Sequence, residues 1–567
     1  MESFDNRMCA WYVASVKKFD PGEAKPIQKL GRDMLFKTRV RSVIGSNKRW
    51  FIVAVTLPVF LLGALVLASN NQIIFENDFL VSNGPTNHRW EPTSAVTSYT
   101  WATGWRDIDS GISYVSTYNP QAYRWNQPVN VTPSSEIGLG DLNLVADTFQ
   151  DRFVYVALGS YAPAQQVYYG FSTDRTGSNW VVNPQPIFSS VGGCQSGETV
   201  SWDYPSVAVD AGGHVVVGAI QMCQVAGQQK TINGYWTATA STSAVGSGSN
   251  LSQPTFSTPV QLPTISMPGG GVQNGEGARV VGTSNNVFEA FVPSMDEAGN
   301  PAPYLPNNIA RYESTDGGIT WTQPATGIGL GGIFGGGPFG EPKNNTPPDS
   351  TGNAIFYAPT QLMATGYKNG LWALVFDADY YGFSELIVCT SDRGCGWVNA
   401  VDSQTNPYAN DQFLAGISVS SDGGYWIFYY TFQLPRTLPN LITQAIYIAP
   451  GANPIGATVN DYVLSSQWTS GQKSCVSGIT TCYEAGDFQQ IASIGQLTAS
   501  TPWIHKLNPN DGLNGNDLIQ NFISDPAAST TLKSFTPNFI PIKAGTNLIA
   551  VSRPVPPQCF GLPPGHD

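Results

Sequence analysis

The 567-residue chain has little charge: only 12% of it is Asp, Glu, Lys or Arg, with four histidines and seven methionines. A coiled coil or long helical bundle, which is rich in Ala, Glu, Lys, Leu and Arg, is thereby excluded. So is a disordered chain, because 41% hydrophobic and 12% aromatic residues supply ample core. His88, His214, His505 and His566 show no metal-ligand spacing among themselves or with the cysteines; His214 is expected on a strand face. There is no Gly-x-Ser-x-Gly elbow. The Gly-rich stretches 264–275 and 329–337 lack the Lys-Ser/Thr pair of a phosphate cradle and read as loops. What abounds is Gly (59), Pro (41), Phe (27), Tyr (24) and Trp (15), the composition of many short strands joined by turns. The length suits about three to four average domains or a single repeat-built all-β unit.

Charge is unevenly placed. Residues 1–50 hold 11 Lys and Arg against 5 Asp and Glu, a net of +6, and the remainder carries −18. Between these parts lies 51–69, FIVAVTLPVFLLGALVLAS, uncharged and long enough at ~1.5 Å per residue to span a ~30 Å hydrocarbon layer. Lys37, Arg39, Arg41, Lys48 and Arg49 precede it, so the positive-inside rule predicts a type II signal anchor with the N-terminus in the cytoplasm. The expected organisation is a basic tail (1–50), a membrane helix (51–69), a juxtamembrane segment (70–84), a folded ectodomain (85–550) and a Pro-rich tail (551–567). An ectodomain of −18 argues against a nucleic-acid partner.

Cysteine usage agrees with an outside location. Cys194 with Cys223, Cys389 with Cys395 and Cys475 with Cys482 form close sequence pairs that read as local disulfides, leaving Cys9 and Cys559. Asn130, Asn250 and Asn344 stand in glycosylation acceptor triplets.

A turn pattern, Ser/Thr-x-Asp-x-Gly-x-x-Trp, recurs as Ser314, Asp316, Gly318, Trp321 and as Thr390, Asp392, Gly394, Trp397. A copy with one extra residue is Ser172, Asp174, Gly177, Trp180, and degenerate copies end at Trp125 and Trp468. The pattern describes a hairpin: the Ser/Thr and Asp side chains accept hydrogen bonds from the turn's backbone, Gly takes a positive φ, and Trp starts the returning strand. These are Asp-box (BNR) repeats in form, and the ectodomain resembles the sialidase-type β-propeller superfamily. That resemblance implies an all-β propeller whose boxes join the third and fourth strands of a blade on the side away from the ligand.

Each blade is led by a second repeated element. These begin at Glu91, Asp141, Asp203, Glu276, Pro359, Asp411 and Asp487, each running into a β-branched or apolar stretch. Seven lead strands stand against six third-to-fourth strand turns, so the fold is expected to have six or seven blades. Seven is preferred, with strand 73–82 closing the last blade.

The resemblance further implies, for a true sialidase, three arginines gripping a carboxylate, a tyrosine nucleophile with a glutamate partner, an aspartate acid/base and an Arg-Ile-Pro motif. Here Arg89-Trp-Glu91-Pro92 departs from that motif by one residue, Arg279 is a second candidate, and no third arginine has a convincing context. If the chain is an enzyme, a glycoside hydrolase using Arg89, Asp107, Asp203, Glu276 and Arg279 is the expectation. The lead-strand acids Glu91, Asp141, Asp203, Glu276, Asp411 and Asp487 would instead form a ring at one channel mouth, suited to Ca²⁺ or a cationic partner, or else cap backbone N–H groups. Trp101, Trp105, Tyr118, Tyr380 and Tyr381 are candidates for an aromatic binding face. The leading expectation is a membrane-anchored propeller that binds an extracellular protein or glycan without catalysis; a glycoside hydrolase and a structural envelope component are the alternatives.

Overall fold

The computed structural model describes the strands and most turns between residues 74 and 541. Residues 1–73 and 542–567, the loops 242–253, 264–271, 296–307, 330–361, 402–411, 433–439, 484–489, 507–516 and 525–539, and several shorter segments lie outside the described residues. The expected membrane segment is among these, and no helix among the described residues is long and apolar enough to cross a membrane.

Six antiparallel sheets follow one another along the chain, and each is led by an inner strand: Arg89–Val96, Gly140–Asp147, Thr199–Val209, Arg279–Ser284, Met363–Tyr367 and Gln412–Val419. A further sheet is composite: Ala492–Ile494, Thr498–Lys506 and Asp517–Ser524 are joined by Ile74–Phe75, Phe79–Leu80 and Ile540–Pro541. Each inner strand touches the next, and Ala492–Ile494 touches both Gln412–Val419 and Arg89–Val96, so the ring closes through strands from both ends of the chain. The fold is an all-β propeller of six contiguous blades, one fewer than preferred from the sequence, with this composite sheet closing the ring. Asn399–Val401 is unlike the rest, pairing in parallel with Thr458–Val463 of the sixth blade.

Stability comes from between the blades. Strands such as Arg152–Gly159 are buried along their whole length because both sheet faces meet a neighbouring blade, which explains their near-continuous apolar sequence. Val154, Val156 and Tyr169 of the second blade pack with Trp202, Val215 and Val217 of the third, and Val216, Ile220 and Tyr235 of the third pack with Phe288, Val292 and Tyr312 of the fourth. Burying such side chains contributes ~1.5–3 kcal/mol each. Trp101, Trp105 and Tyr118 are at most 2% exposed, so they are blade packing and not the binding face suggested by their sequence. The side chains of Tyr380 and Tyr381 lie outside the described residues.

Two of the three recurring turns have the predicted side-chain-to-backbone hydrogen bonds. Asp316 accepts hydrogen bonds from the N–H groups of Ile319 (3.1 Å) and Thr320 (2.9 Å), Gly318 N–H donates to Ser314 Oγ (2.8 Å), and the Trp321 indole donates to Gly318 O (3.2 Å). Asp174 accepts from Thr176 N–H (2.8 Å), and the Trp180 indole donates to Gly177 O (2.9 Å). Gly177, Gly318 and Gly394 all have positive φ. Disulfides join Cys194 to Cys223 and Cys389 to Cys395. Cys475 and Cys482 face each other in a two-stranded pairing, and their side chains lie outside the described residues. His214 opens the second strand of its blade, as expected, and its imidazole meets Asp210 (2.9 Å).

Candidate functional site

A bulge at the start of the inner strands shapes the site. Pairing with the second strand slips between Trp90 and Thr93, between Gly140 and Asn143, and between Asp203 and Ser206. Within each bulge one non-glycine residue takes a positive φ: Glu91 (51°), Asp141 (47°) and Tyr204 (49°). Left-handed backbone costs such residues roughly 1–2 kcal/mol, so surrounding contacts must fix it. The fourth blade puts glycine at this point, Gly277 with φ 73°.

The bulges correct the expected ring. Glu91 and Asp141 occupy equivalent positions, but Asp203 lies one residue earlier than its counterparts, because Tyr204 is the positive-φ residue of its blade. Glu91, Asp141 and Asp203 are nevertheless brought together. The Asp141 carboxyl is hydrogen-bonded to both Glu91 and Asp203, and its backbone N–H donates to Glu91 Oε2 at 3.2 Å. Burial pushes the Asp141 carboxyl above the usual range; Arg106 and Arg279 hold it down in part. Three acidic side chains and two guanidiniums stand together here, so most of the acidic charge is offset. Asp203 also accepts from Tyr204 N–H (3.0 Å), the capping role foreseen as the alternative.

Arg106 was absent from the sequence candidates. It belongs to the second strand of blade one, and pairing with Trp90 sets it at the level of Glu91. Both Arg106 and Arg279 are more than nine-tenths buried. Asp107 is fully buried and accepts from Ser110 N–H and Oγ (both 2.9 Å), which holds the turn that follows its strand. Glu276, Asp411 and Asp487 lie outside the described residues, as does the Arg89 side chain.

Beside the cluster a cavity of about 210 Å³ runs along the inner strands. Its polar wall is Asn143, Ser206, Arg279, Thr365 and Gln490, and valines and alanines make up most of the rest. Gln490, also missed from sequence, accepts from Thr93 Oγ1 (2.6 Å) and Asn143 Nδ2 (2.9 Å), while its N–H donates to Pro92 O (3.1 Å). It therefore ties the closing sheet to the first two blades. At the fourth and fifth blades, glycine permits backbone contact, since a Cβ on Gly366 would collide with the Gly282 carbonyl.

The donor set bears on Ca²⁺. Among the described residues, the group whose potential ligand atoms converge within 4.8 Å is Cys194, Glu198 and Cys223, and the bridge between these cysteines removes their thiolates. Glu91, Asp141 and Asp203 run as a chain rather than converging, with two arginines already opposing their charge, so they do not fit the oxygen cage of Ca²⁺.

No family model and no curated protein matches the chain. Among solved structures, it is similar to a protein of unknown function from Dyadobacter fermentans DSM 18053 (TM-score 0.41, 12% identity, covering 80% of this chain and 100% of that one). It is also similar to the Hadza microbial sialidase Hz136 (0.34, 12%, 62% and 66%) and to the α-L-arabinanase of Penicillium chrysogenum complexed with arabinobiose (0.35, 9%, 80% and 99%). Likeness at this level says nothing of substrate or activity.

Proposed function

We propose that the protein is a glycan-recognition propeller, taking a neutral, hydroxyl-rich sugar at the mouth of the central cavity. The observation that carries this reading is the linked array Glu91–Asp141–Asp203 with Arg106 and Arg279 beside it. Carboxylates accept from sugar hydroxyls and guanidiniums donate to them, so the array presents both halves of the hydrogen-bonding a sugar needs. Its near-neutral charge gives an anionic sugar no net attraction. Among the described residues the cavity wall contains one arginine, not the three of a carboxylate clamp.

The raised Asp141 carboxyl favours a second reading, a glycoside hydrolase with Asp141 as general acid. Against it, the Asp141 carboxyl interacts directly with the carboxyls of both Glu91 and Asp203. Glycosidase pairs stand ~5–5.5 Å or ~6.5–9.5 Å apart. Probing the purified protein against neutral and sialylated glycans tests both readings. Binding to neutral glycans is expected, with Asp141→Asn weakening it about 100-fold and no reducing sugar released. Binding confined to sialylated glycans would overturn the proposal, and turnover abolished by Asp141→Asn would establish the hydrolase instead.

We further propose that an N-terminal anchor holds the propeller outside the membrane. The support is the uncharged run 51–69 behind its basic flank, together with two disulfides in the blades. Protease added outside intact cells should degrade the propeller while a fragment of residues 1–69 stays with the membrane fraction. Recovery of the intact chain in the soluble fraction would refute it.

A further inference from the structure

The cavity along the inner strands has a chemical direction. In blades two, three and four the polar lining residue comes first along the strand, Asn143, Ser206 and Arg279, and aliphatic residues follow it. Gln490 joins the polar end through its hydrogen bonds with Thr93 and Asn143. At the other end the inner strands of blades three, four and five are drawn together at Val209, Gly282 and Gly366, where a Cβ on either glycine would meet the carbonyl of the neighbouring strand. Thr365, beside that narrowing, is the polar exception in the aliphatic part. Among the described residues the lining contains no aromatic ring and no carboxylate.

Hydrogen bonding at the polar end is one-sided. Its acceptors are already engaged: Asn143 Oδ1 takes the N–H of Val207 (3.0 Å), Ser206 Oγ takes that of Val280 (3.1 Å), and Gln490 Oε1 takes both Thr93 Oγ1 (2.6 Å) and Asn143 Nδ2 (2.9 Å). Donors are left over. Among the described residues Gln490 Nε2 and the hydroxyl proton of Ser206 have no acceptor, although Ser206 is only 1% exposed. Arg279 adds a group that can only donate. Buried donors are expensive to leave unmatched, so this end is completed by a ligand atom that accepts and brings no proton. A carbonyl oxygen does so with two lone pairs, whereas a hydroxyl carries a proton that the engaged acceptors take less readily. The aliphatic walls beyond suit the alkyl carbon that a carbonyl bears.

We infer that the cavity receives the acyl group of an acylated sugar, its carbonyl oxygen accepting from Ser206 Oγ and Gln490 Nε2 and its alkyl end lying among Val145, Val209, Val281 and Ala364. Resting on the glycan reading above, this adds the substituent to the ring hydroxyls gripped at the mouth. At about 210 Å³ the cavity exceeds the ~150 Å³ that holds a benzene, so an acetyl group enters together with the ring edge that bears it. Amide and ester present the same carbonyl, and both N-acetyl and O-acetyl sugars qualify.

Calorimetry of the full chain would compare methyl β-D-glucopyranoside and methyl β-D-galactopyranoside with their 2-acetamido-2-deoxy and 6-O-acetyl counterparts and with methyl β-D-glucopyranosiduronic acid. At least one acetylated form should bind about 10- to 100-fold more tightly than its parent, and preference for amide or ester assigns the source. Gln490→Glu keeps an oxygen for Thr93 and Asn143 but exchanges the free donor for a second acceptor, so it should bring that ratio to about 1 while binding the parent sugars as wild type does. Ala364→Leu fills the aliphatic part and should also abolish the preference, with Tm unchanged or raised; it keeps the test open if Gln490→Glu loosens ring closure. Parent sugars that bind as tightly as every acetylated form, or an acetyl preference retained by either variant at the wild-type Tm, would overturn the inference and leave the glycan reading standing. A uronic acid bound in preference to all the others would overturn this inference and the neutral-sugar reading together. If none of these glycosides binds, the glycan reading falls and takes the acyl site with it.

Discussion

Two aspartates at opposite ends of the blades show how place decides what one side chain does. Asp316 is exposed in a box turn. The slight burial that would raise its carboxyl is outweighed by hydrogen bonds from Thr320, Ser314 and Ile319, which hold it below the usual range. Asp141, at the cavity mouth, has carboxyls on both sides and burial around it, and is pushed the other way. Asp316 thus contributes stability that is present above its unfolded value of 3.8 and lost as pH falls through the lower folded value. Asp141 contributes stability that is present at low pH and lost as pH rises from 3.8 through its raised value. One carboxylate organises a turn; the other is held at a cost to the fold, as expected of a site for something else.

The sharpest test of that contrast is the pair Asp141→Asn and Asp316→Ala in one binding assay. The first should give the ~100-fold loss of glycan affinity expected above and the second none.

Glu289 extends the comparison to a buried acid with a partner. Burial raises it to about 7, against two hydrogen bonds from Arg311 (2.9 and 2.7 Å) that pull it down. Arg311 also reaches Glu313 (3.1 Å) and lies 5.4 Å from the Trp372 ring centre in the next blade. Because the folded value lies above the ordinary glutamate value of 4.5, the Glu289 contribution to stability is full below that pH and declines as pH rises through about 7. Its ceiling is on the order of 3 kcal/mol. Denaturant titrations from pH 4 to 8 should show wild type losing stability relative to Glu289→Gln across that window. Parallel curves would mean that the ion pair fully offsets the burial.

The contrast also marks what the sequence makes legible. Box turns are read directly, because Ser314, Asp316, Gly318 and Trp321 make their contacts within one turn and spacing alone specifies them. The lead-strand acids were found, but their phase was not: Asp203 precedes the bulge residue of its blade, and a one-residue slip in strand pairing leaves no mark in composition or period. Arg106 and Gln490 were missed for a related reason. Arg106 reaches the mouth through its register with Trp90, and Gln490 through closure of the ring some 400 residues along the chain from Thr93. Arg279 was legible as a candidate, and the structure sets it in the cavity wall, 3% exposed.

The smallest effects separate the box turns from each other. Asp316 accepts from two backbone N–H groups and from the hydroxyls of Thr320 (2.6 Å) and Ser314 (2.8 Å), so Asp316→Ala leaves the turn's donors to water and should cost about 1–2 kcal/mol. The equivalent turn of the fifth blade is held differently. Cys389 and Cys395 are bridged across its base, Asp392 is ion-paired with Arg393 at 3.3 Å, and Arg393 in turn donates to the carbonyl of Ala452. The covalent link already fixes the ends that the carboxylate fixes in the fourth blade, and an exposed ion pair adds little. Asp392→Ala should therefore cost less than about 0.5 kcal/mol in the oxidised protein. Its cost should rise toward that of Asp316→Ala in a background where Cys389 and Cys395 are both alanine. Equal costs for the two aspartates with the disulfide intact would show that the bridge does not substitute for the carboxylate.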